Sequence, residues 1–512
     1  MELFITVAVA TAAIMLIWDC AEVGRNDAAN LINAVFGARV LRRKTAVWLA
    51  GVAVLLGASF SSPVMETARK GIFDPGLFTI QAAMTVYISV YIVDTVLLYA
   101  YSAFGMPVST TASLVFELVG AALGVSIGLS EVGISVVHWA VVGKVVMAII
   151  LSILLSGIGG FLIQRVFRGV IRNNPQDRET VLLHGPWVAG LILTFLFWFM
   201  LMKGLKAVSF IQSIRTDIFD SYGVPMTLLV IWGIFTLLVH FALILSGQKG
   251  PRYLFHVTTL TGMLCVSFAF GQNDLANCAS PGLSTIWLWN HADQGTAMAS
   301  KIPIPKWALF SCGLFIVLGM QTRNAQRVTR AAVNTGSQFD QVALWAPQWC
   351  IKIAGMLIRP FANRSKIKSD LTPSSEISDR GKKVHYDTLR ASVIMAVSAC
   401  VIAFASGRGL PVSTTYVAFA AVVATGWADR VFIHGDADLK YGRAIWVVTS
   451  WFLAAIIAMV SSAIVARVVF ELEIVGLILG IAVNLGIRFY VDRRSLRHEK
   501  NFRKAFANKQ PN

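Results

Sequence analysis

Two short stretches place a carboxylate inside otherwise apolar runs. Residues 24–30 read GRNDAAN and residues 271–277 read GQNDLAN. Each supplies one Asp and two Asn: Asp27 with Asn26 and Asn30, Asp274 with Asn273 and Asn277. Hard oxygen ligands around a carboxylate suit Na⁺, or a carboxyl group that takes up a proton. The leading glycines, Gly24 and Gly271, allow the helix to bend there. The set contains no His or Cys cluster, so no transition-metal site is expected. A charged side chain near the centre of a bilayer costs at least about 2.5–3.5 kcal/mol. Each Asp therefore needs a counter-ion, a proton or a solvated cavity. The plainer alternative is that these residues only bond helices together.

A second pair of motifs has complementary chemistry. PVSTT occupies 107–111 and returns unchanged at 411–415. Proline suits the first turn of a new helix, and Ser or Thr suits its cap. Each copy reads as the tip of a re-entrant hairpin where a half-helix begins. Its free backbone N–H groups and positive dipole end favour an oxyanion. Ser109, Thr110, Thr111, Ser413, Thr414 and Thr415 are the candidate anion-binding hydroxyls. An ordinary capped helix end at the membrane surface would look the same from one copy alone. Between the two motif types, Asp27 and Asp274 would repel an anion unless cations sat between them. That makes anion binding depend on the cation, the physical basis of symport.

The elements that must hold these groups are membrane helices. The chain of 512 residues is 56% hydrophobic and 14% charged, with mean hydropathy +0.67. Soluble chains carry about 25% charge. The apolar runs lack the alternation of a transmembrane barrel. We expect an all-α polytopic membrane protein of about twelve segments, near 3–19, 45–62, 77–103, 113–128, 138–163, 181–202, 223–246, 253–270, 305–320, 389–406, 444–468 and 472–489. The start, Met1-Glu2, has no basic leader region, so the first run reads as a retained span. The six cysteines are scattered without a CxxC pair and read as small apolar residues.

The net charge of +17 raises the question of nucleic acid. Its distribution answers it. Basic clusters at 39–44, 165–178, 249–252, 323–383 and 488–509 all fall on one side of a consistent threading. They mark cytoplasmic loops, with the N-terminus outside and the C-terminus inside, and nucleic acid is not expected as a partner. The loop at 203–222 fits less well, because Lys203, Lys206 and Arg215 sit in it on the outer side. The stretch 321–388 is the one large hydrophilic insertion, a cytoplasmic loop in which SKIKSDLTPSSEISDRGKK reads as mobile, either a linker or a regulatory element.

The order ND, PVSTT, ND, PVSTT implies two homologous halves. On this threading they are inverted relative to each other, the architecture of secondary transporters with broken helices and a midplane site. The expected divisions are a first repeat at 1–165, connector helices at 166–250, a second repeat at 251–490 and a basic tail at 491–512.

These motifs resemble the inorganic phosphate transporter (PiT) family. The first signature is met by Gly24, Asn26, Asp27, Asn30 and Gly37, the second by Gly271, Asn273, Asp274, Asn277 and Pro281, and the others by Pro107–Thr111 and Pro411–Thr415. The resemblance implies Na⁺- or H⁺-coupled phosphate uptake, a homodimer in the membrane and alternation between faces. It implies that the six hydroxyl residues hold the anion. Asn26, Asp27, Asn273 and Asp274 would hold cations, with the two aspartates bordering the anion. The chain departs from the family at Ala112 and Tyr416, where a His is usual, and at Val54 and Met395, where membrane carboxylates are usual. Sulfate is therefore a second candidate substrate. Asp94 and Glu117, thirteen residues before and ten after Pro107, are alternatives for a missing acid or simple interhelix partners. Arg25 either turns away from the site or touches the anion. A lipid-phosphate enzyme would need a nucleophile–base pair or metal triad that no cluster offers. A sensor or channel on the same fold is a third reading. The expected location is the bacterial inner membrane.

Overall fold

A computed structural model describes residues 2–61, 64–65, 71–129, 133–172, 177–205, 208–290, 305–339, 341–362, 384–433 and 435–507. The segment SKIKSDLTPSSEISDRGKK, the whole 291–304 loop and the last residues of the tail lie outside the described residues. Fourteen helices organise the described chain: α1 (Glu2–Gly37), α2 (Arg43–Ala58), α3 (Ile80–Ala103), α4 (Thr110–Ser126), α5 (Trp139–Val170), α6 (Arg178–Phe197), α7 (Val224–Leu245), α8 (Lys249–Asn290), α9 (Lys306–Met320), α10 (Arg323–Thr335), α11 (Gln348–Ala362), α12 (Thr388–Ser406), α13 (Thr414–Ala428) and α14 (Ala437–Ala507). Short helical turns join some of them, and one isolated bridge links Phe73 to Val137.

Among the described residues, eight helices are long and apolar enough to cross a membrane. Their packing follows the bilayer as solvent. Helix α7 is apolar all round and only Thr227 and Leu243 on it are buried. Its Leu229, Val230, Leu237 and Phe241 face outward, as lipid contact requires. The polar residues run the other way. Helices α3 and α12 are almost wholly buried, and they carry Asp94, Ser102, Arg390 and Ser406 inward.

Three expectations need correction. The ND motifs do not end or break their helices. GRNDAAN lies inside the continuous α1, and GQNDLAN inside the continuous α8. Both helices therefore outrun the apolar stretches at 3–19 and 253–270. The motif glycines are instead sites of close helix contact. A Cβ at Gly24 would lie 1.9 Å from the Ile316 carbonyl oxygen, and one at Gly271 would lie 2.2 Å from that of Val54. Finally, the 321–388 insertion is not a loop throughout. It contains α10, capped by Thr322 Oγ1, and α11. Arg327 of α10 pairs with Glu499 of α14 at 2.5 Å.

The last two apolar segments emerge as two arms of α14. Helical geometry breaks at Glu473, where φ is 46°. Gly480 then approaches Val465, so the 474–507 arm folds back along the 437–472 arm. A buried ion cluster ties α5 to the second half. Arg168 donates to both carboxylate oxygens of Asp429 at 3.0 Å and also pairs with Asp387.

Candidate functional site

The hairpin tips form as the local sequence demands. The chain leaves α3 at Ala103 and starts α4 at Thr110, with Pro107 ahead of the first turn. Ser109 caps α4 by accepting from the Ala112 N–H at 3.0 Å. Ser413 caps α13 by accepting from the Tyr416 N–H at 3.2 Å. The two positions where the family usually has a His thus supply cap donors. The Tyr416 ring stacks on Trp451 with centroids 3.8 Å apart.

Each ND asparagine nearest its Asp straps its own hairpin. Asn26 Oδ1 accepts from the Val108 N–H at 3.2 Å, and its Nδ2 donates to Ser102 Oγ at 3.0 Å. Asn273 Oδ1 accepts from the Val412 N–H at 3.2 Å and from Ser406 Oγ at 3.3 Å. The second asparagines reach across instead. Asn30 Nδ2 donates to Thr415 Oγ1 at 3.0 Å, and Asn277 Nδ2 donates to Thr111 Oγ1 at 2.9 Å. The threonines complete the exchange. Thr415 Oγ1 lies 3.1 Å from the Val108 carbonyl oxygen, and Thr111 Oγ1 donates to that of Val412 at 3.0 Å. Each of these cross-repeat contacts in one motif set has a counterpart in the other.

The two carboxylates meet at the centre. Thr110 Oγ1 lies 3.2 Å from Asp27 Oδ2 and 3.1 Å from Asp274 Oδ1. One O–H cannot donate to both at once. Asp27 Oδ1 also accepts from Thr415 Oγ1 at 2.9 Å and Asn30 Nδ2 at 3.0 Å. Asp274 accepts from Asn277 at 3.0 Å and from Asn273 at 3.2 Å. Both Asp side chains are fully buried. Their partners among the described residues are hydroxyls and amides. Two neighbouring buried carboxylates without a cationic side chain repel each other when both are ionised.

The structure thus brings together Asn26, Asp27, Asn30, Thr110, Thr111, Asn273, Asp274, Asn277 and Thr415. Ser109 and Ser413 sit at the caps, and Thr414 is buried beside Asp274. Sequence reasoning missed Ser102 and Ser406. Each lies five residues before a motif proline, so the repeat itself could have shown them. Val54 and Met395 pack at crossings with α8, beside Gly271 and Gly262. Arg25 turns to Glu22 and not to the ND and PVSTT residues. Its guanidinium lies 2.7 Å from both oxygens of Glu22, and it lines a cavity of 310 Å³ with Tyr99, Arg323, Arg327 and Asp492.

Long lipid-facing helices around an enclosed polar centre define an integral membrane protein of the transport class. The profile of the phosphate transporter family matches residues 23–334 and 377–462, and the chain belongs to that family. Similar proteins named as putative phosphate permeases occur in Thermococcus kodakarensis, 27% identical over 89% of this chain and 95% of that one, and in Pyrococcus horikoshii, 26% identical over 87% and 94%. A solved structure of a protein described as the sodium-dependent phosphate transporter shares the fold. It has a TM-score of 0.63 and 23% identity, with 91% of this chain and 99% of the other covered.

Proposed function

We propose that the protein is a cation-coupled symporter of inorganic phosphate. The observation that carries this reading is the Thr110 hydroxyl shared between Asp27 and Asp274. In the described state Thr110 and Thr415 spend their protons on carboxylates. A Na⁺ or H⁺ at the carboxylates replaces those donors. The hydroxyls then turn to an oxyanion held at the helix N-termini of α4 and α13, together with Ser109, Thr111, Ser413 and Thr414. Without the cation, the anion meets two negative charges. Binding of one ion therefore prepares the site for the other.

The alternation of contacts supports two repeats, 1–165 and 251–490, joined by the connector at 166–250 and followed by the tail at 491–512. We take them as inverted, with about twelve embedded segments, two of them re-entrant. The N-terminus would lie outside and the C-terminus in the cytoplasm of an inner-membrane homodimer. The names of the relatives support phosphate as substrate, and the sodium dependence of the structurally similar transporter supports Na⁺ as the coupled ion. Sulfate remains the alternative substrate, because Val54 and Met395 remove two acids that could accept a proton from phosphate.

Labelled phosphate uptake into proteoliposomes tests this reading, with and without a Na⁺ gradient and with sulfate as competitor. Gradient-dependent uptake is expected, and Asp27→Asn or Asp274→Asn should abolish it. Full coupled uptake by both variants would remove the cation assignment. Undiminished uptake without any ion gradient would mean a channel.

A further inference from the structure

A second group of carboxylates lies outside the duplicated motifs. Asp19 is on α1, Asp94 on α3 and Glu117 on α4, and each is 1% exposed or less. Asp94 meets Asp19, Ser113 and Glu117 side chain to side chain. Ser113 Oγ donates to Glu117 Oε1 at 2.8 Å. Among the described residues, both oxygens of Asp19, Asp94 Oδ1 and Glu117 Oε2 have no hydrogen-bond donor.

The placement of the three is regular. Asp19 precedes Asp27 by eight residues. Asp94 precedes Ser102, the partner of Asn26, by eight. Glu117 follows Thr110 by seven. At 1.5 Å per residue, each lies about 10–12 Å along its helix from the central site. Three helices thus carry an acid to one layer, two turns from the ND and PVSTT residues. The corresponding positions of the second repeat are Val266, Ser398 and Ala421. The layer belongs to one half alone, so it does not follow from the duplicated machinery.

The surrounding groups do not neutralise it. On α1, Glu22 takes Arg25 at 2.7 Å and Arg488 of α14 at 2.8 Å, so both nearby arginines are engaged there. Cys20 on α1, Cys278 on α8 and Cys312 on α9 are free thiols. Tyr91 of α3 is occupied, donating to the Cys278 carbonyl at 2.6 Å and accepting from the Gly282 N–H at 2.7 Å. Ser462 of α14 donates to the Glu117 backbone and not to its carboxylate.

Carboxyl groups in mutual contact, buried and without a cation, cannot all be ionised. A proton on one oxygen creates the O–H that the neighbouring carboxylate accepts. We propose that Asp19, Asp94 and Glu117 form a proton-binding site, distinct from the Asp27–Asp274 centre, through which transport responds to the proton gradient. As a binding site it stands without the phosphate reading; as a coupling site it rests on that reading.

Infrared difference spectra of the reconstituted protein between acidic and alkaline pH test it directly. The expected result is a carbonyl-stretch band from buried carboxylic acids that shrinks in Asp19→Asn, Asp94→Asn and Glu117→Gln and is lost in the triple variant. Asp27→Asn should keep this layer's contribution. Asp94→Ser and Glu117→Ala introduce the side chains that the second repeat already carries at these positions, and they serve where the amides disturb folding. In transport, these variants should retain phosphate exchange at equal pH and lose the acceleration by an imposed pH gradient. An unchanged band in the triple variant overturns the proposal. So does a band that appears only when Na⁺ is removed, which would make the layer a sodium site. Normal transport by Asp27→Asn with the band pattern intact would refute the phosphate-site reading and leave the proton site standing.

Discussion

Gly24→Ala is a one-methyl test of how the site is held. The new Cβ would fall 1.9 Å from the Ile316 carbonyl oxygen and 2.7 Å from its carbon. Real Cβ contacts essentially never fall under 3.0 Å. Both atoms are backbone, so no side chain can swing aside and α1 must withdraw from α9 by about 1 Å. Overpacking of this kind costs typically about 1–3 kcal/mol. Asp27 lies three residues further along the same rigid helix. Its bonds to Thr415 and Thr110, at 2.9 and 3.2 Å, reach other helices and would stretch beyond useful range. Misplacement by 1 Å can cost about a hundredfold in rate. The variant should therefore show a lowered melting temperature in detergent and phosphate uptake reduced by about two orders of magnitude. Gly271→Ala should behave alike, because its Cβ would meet the Val54 carbonyl at 2.2 Å. Gly157→Ala is the control, since nothing lies within 4 Å of its Cβ position. If Gly24→Ala keeps both the melting temperature and the uptake rate of the parent, the close crossing does not hold Asp27 in place and the reasoning fails.

Thr110→Val removes the hydroxyl shared by the carboxylates. One hydrogen bond to a charged group is worth about 1.5–3 kcal/mol, and this one stabilises the cation-free carboxylates, so apparent cation affinity should strengthen by about tenfold or more, read from the Na⁺ or H⁺ dependence of uptake. Asp429→Asn should destabilise the fold by about 3–5 kcal/mol, because Arg168 keeps its buried charge and loses half of its partners. The double variant with Arg168→Met should recover part of that loss in a melting assay, and no recovery would mean the pair is not what matters. His385 lies in the connection before α12, outside the spans, with Nδ1 3.1 Å from Ser337 Oγ. Burial, and then the Arg39 guanidinium, lower its pKa from 6.5 to about 4. The unfolded chain therefore binds this proton more readily than the folded one. Stability should fall as pH drops from 6.5 toward 4, and His385→Gln should flatten that part of the stability profile.

The membrane class and the site are legible in one dimension for a physical reason. Lipid forces long apolar runs, so a carboxylate at Asp27 or Asp274 stands out against them. Duplication then doubles each signal, and the cap chemistry of Ser109 and Ser413 depends only on near neighbours along the chain. Gly24 is different, because a glycine's use depends on what crosses it. From the chain alone it suggests a bend, while the Ile316 carbonyl shows a contact. The helix at 323–335 is hidden by polar composition, and the one at 348–362 is apolar but short. Their stability comes from packing against α14 and other elements distant in sequence.

The sequence by itself determined that this chain is a helical membrane protein, that its ND and PVSTT motifs recur, and which residue types meet at its centre. Those conclusions rest on solvation cost and local capping, which act residue by residue. Only the tertiary structure decided the partnerships. It showed that Asn30 and Asn277 reach across the repeats while Asn26 and Asn273 strap their own hairpins. It turned Arg25 toward Glu22, and it gathered Asp19, Asp94 and Glu117 from three helices into one layer. Such contacts depend on the rotation and register of whole helices, which are set by packing at crossings such as Gly24 on Ile316 and Gly271 on Val54.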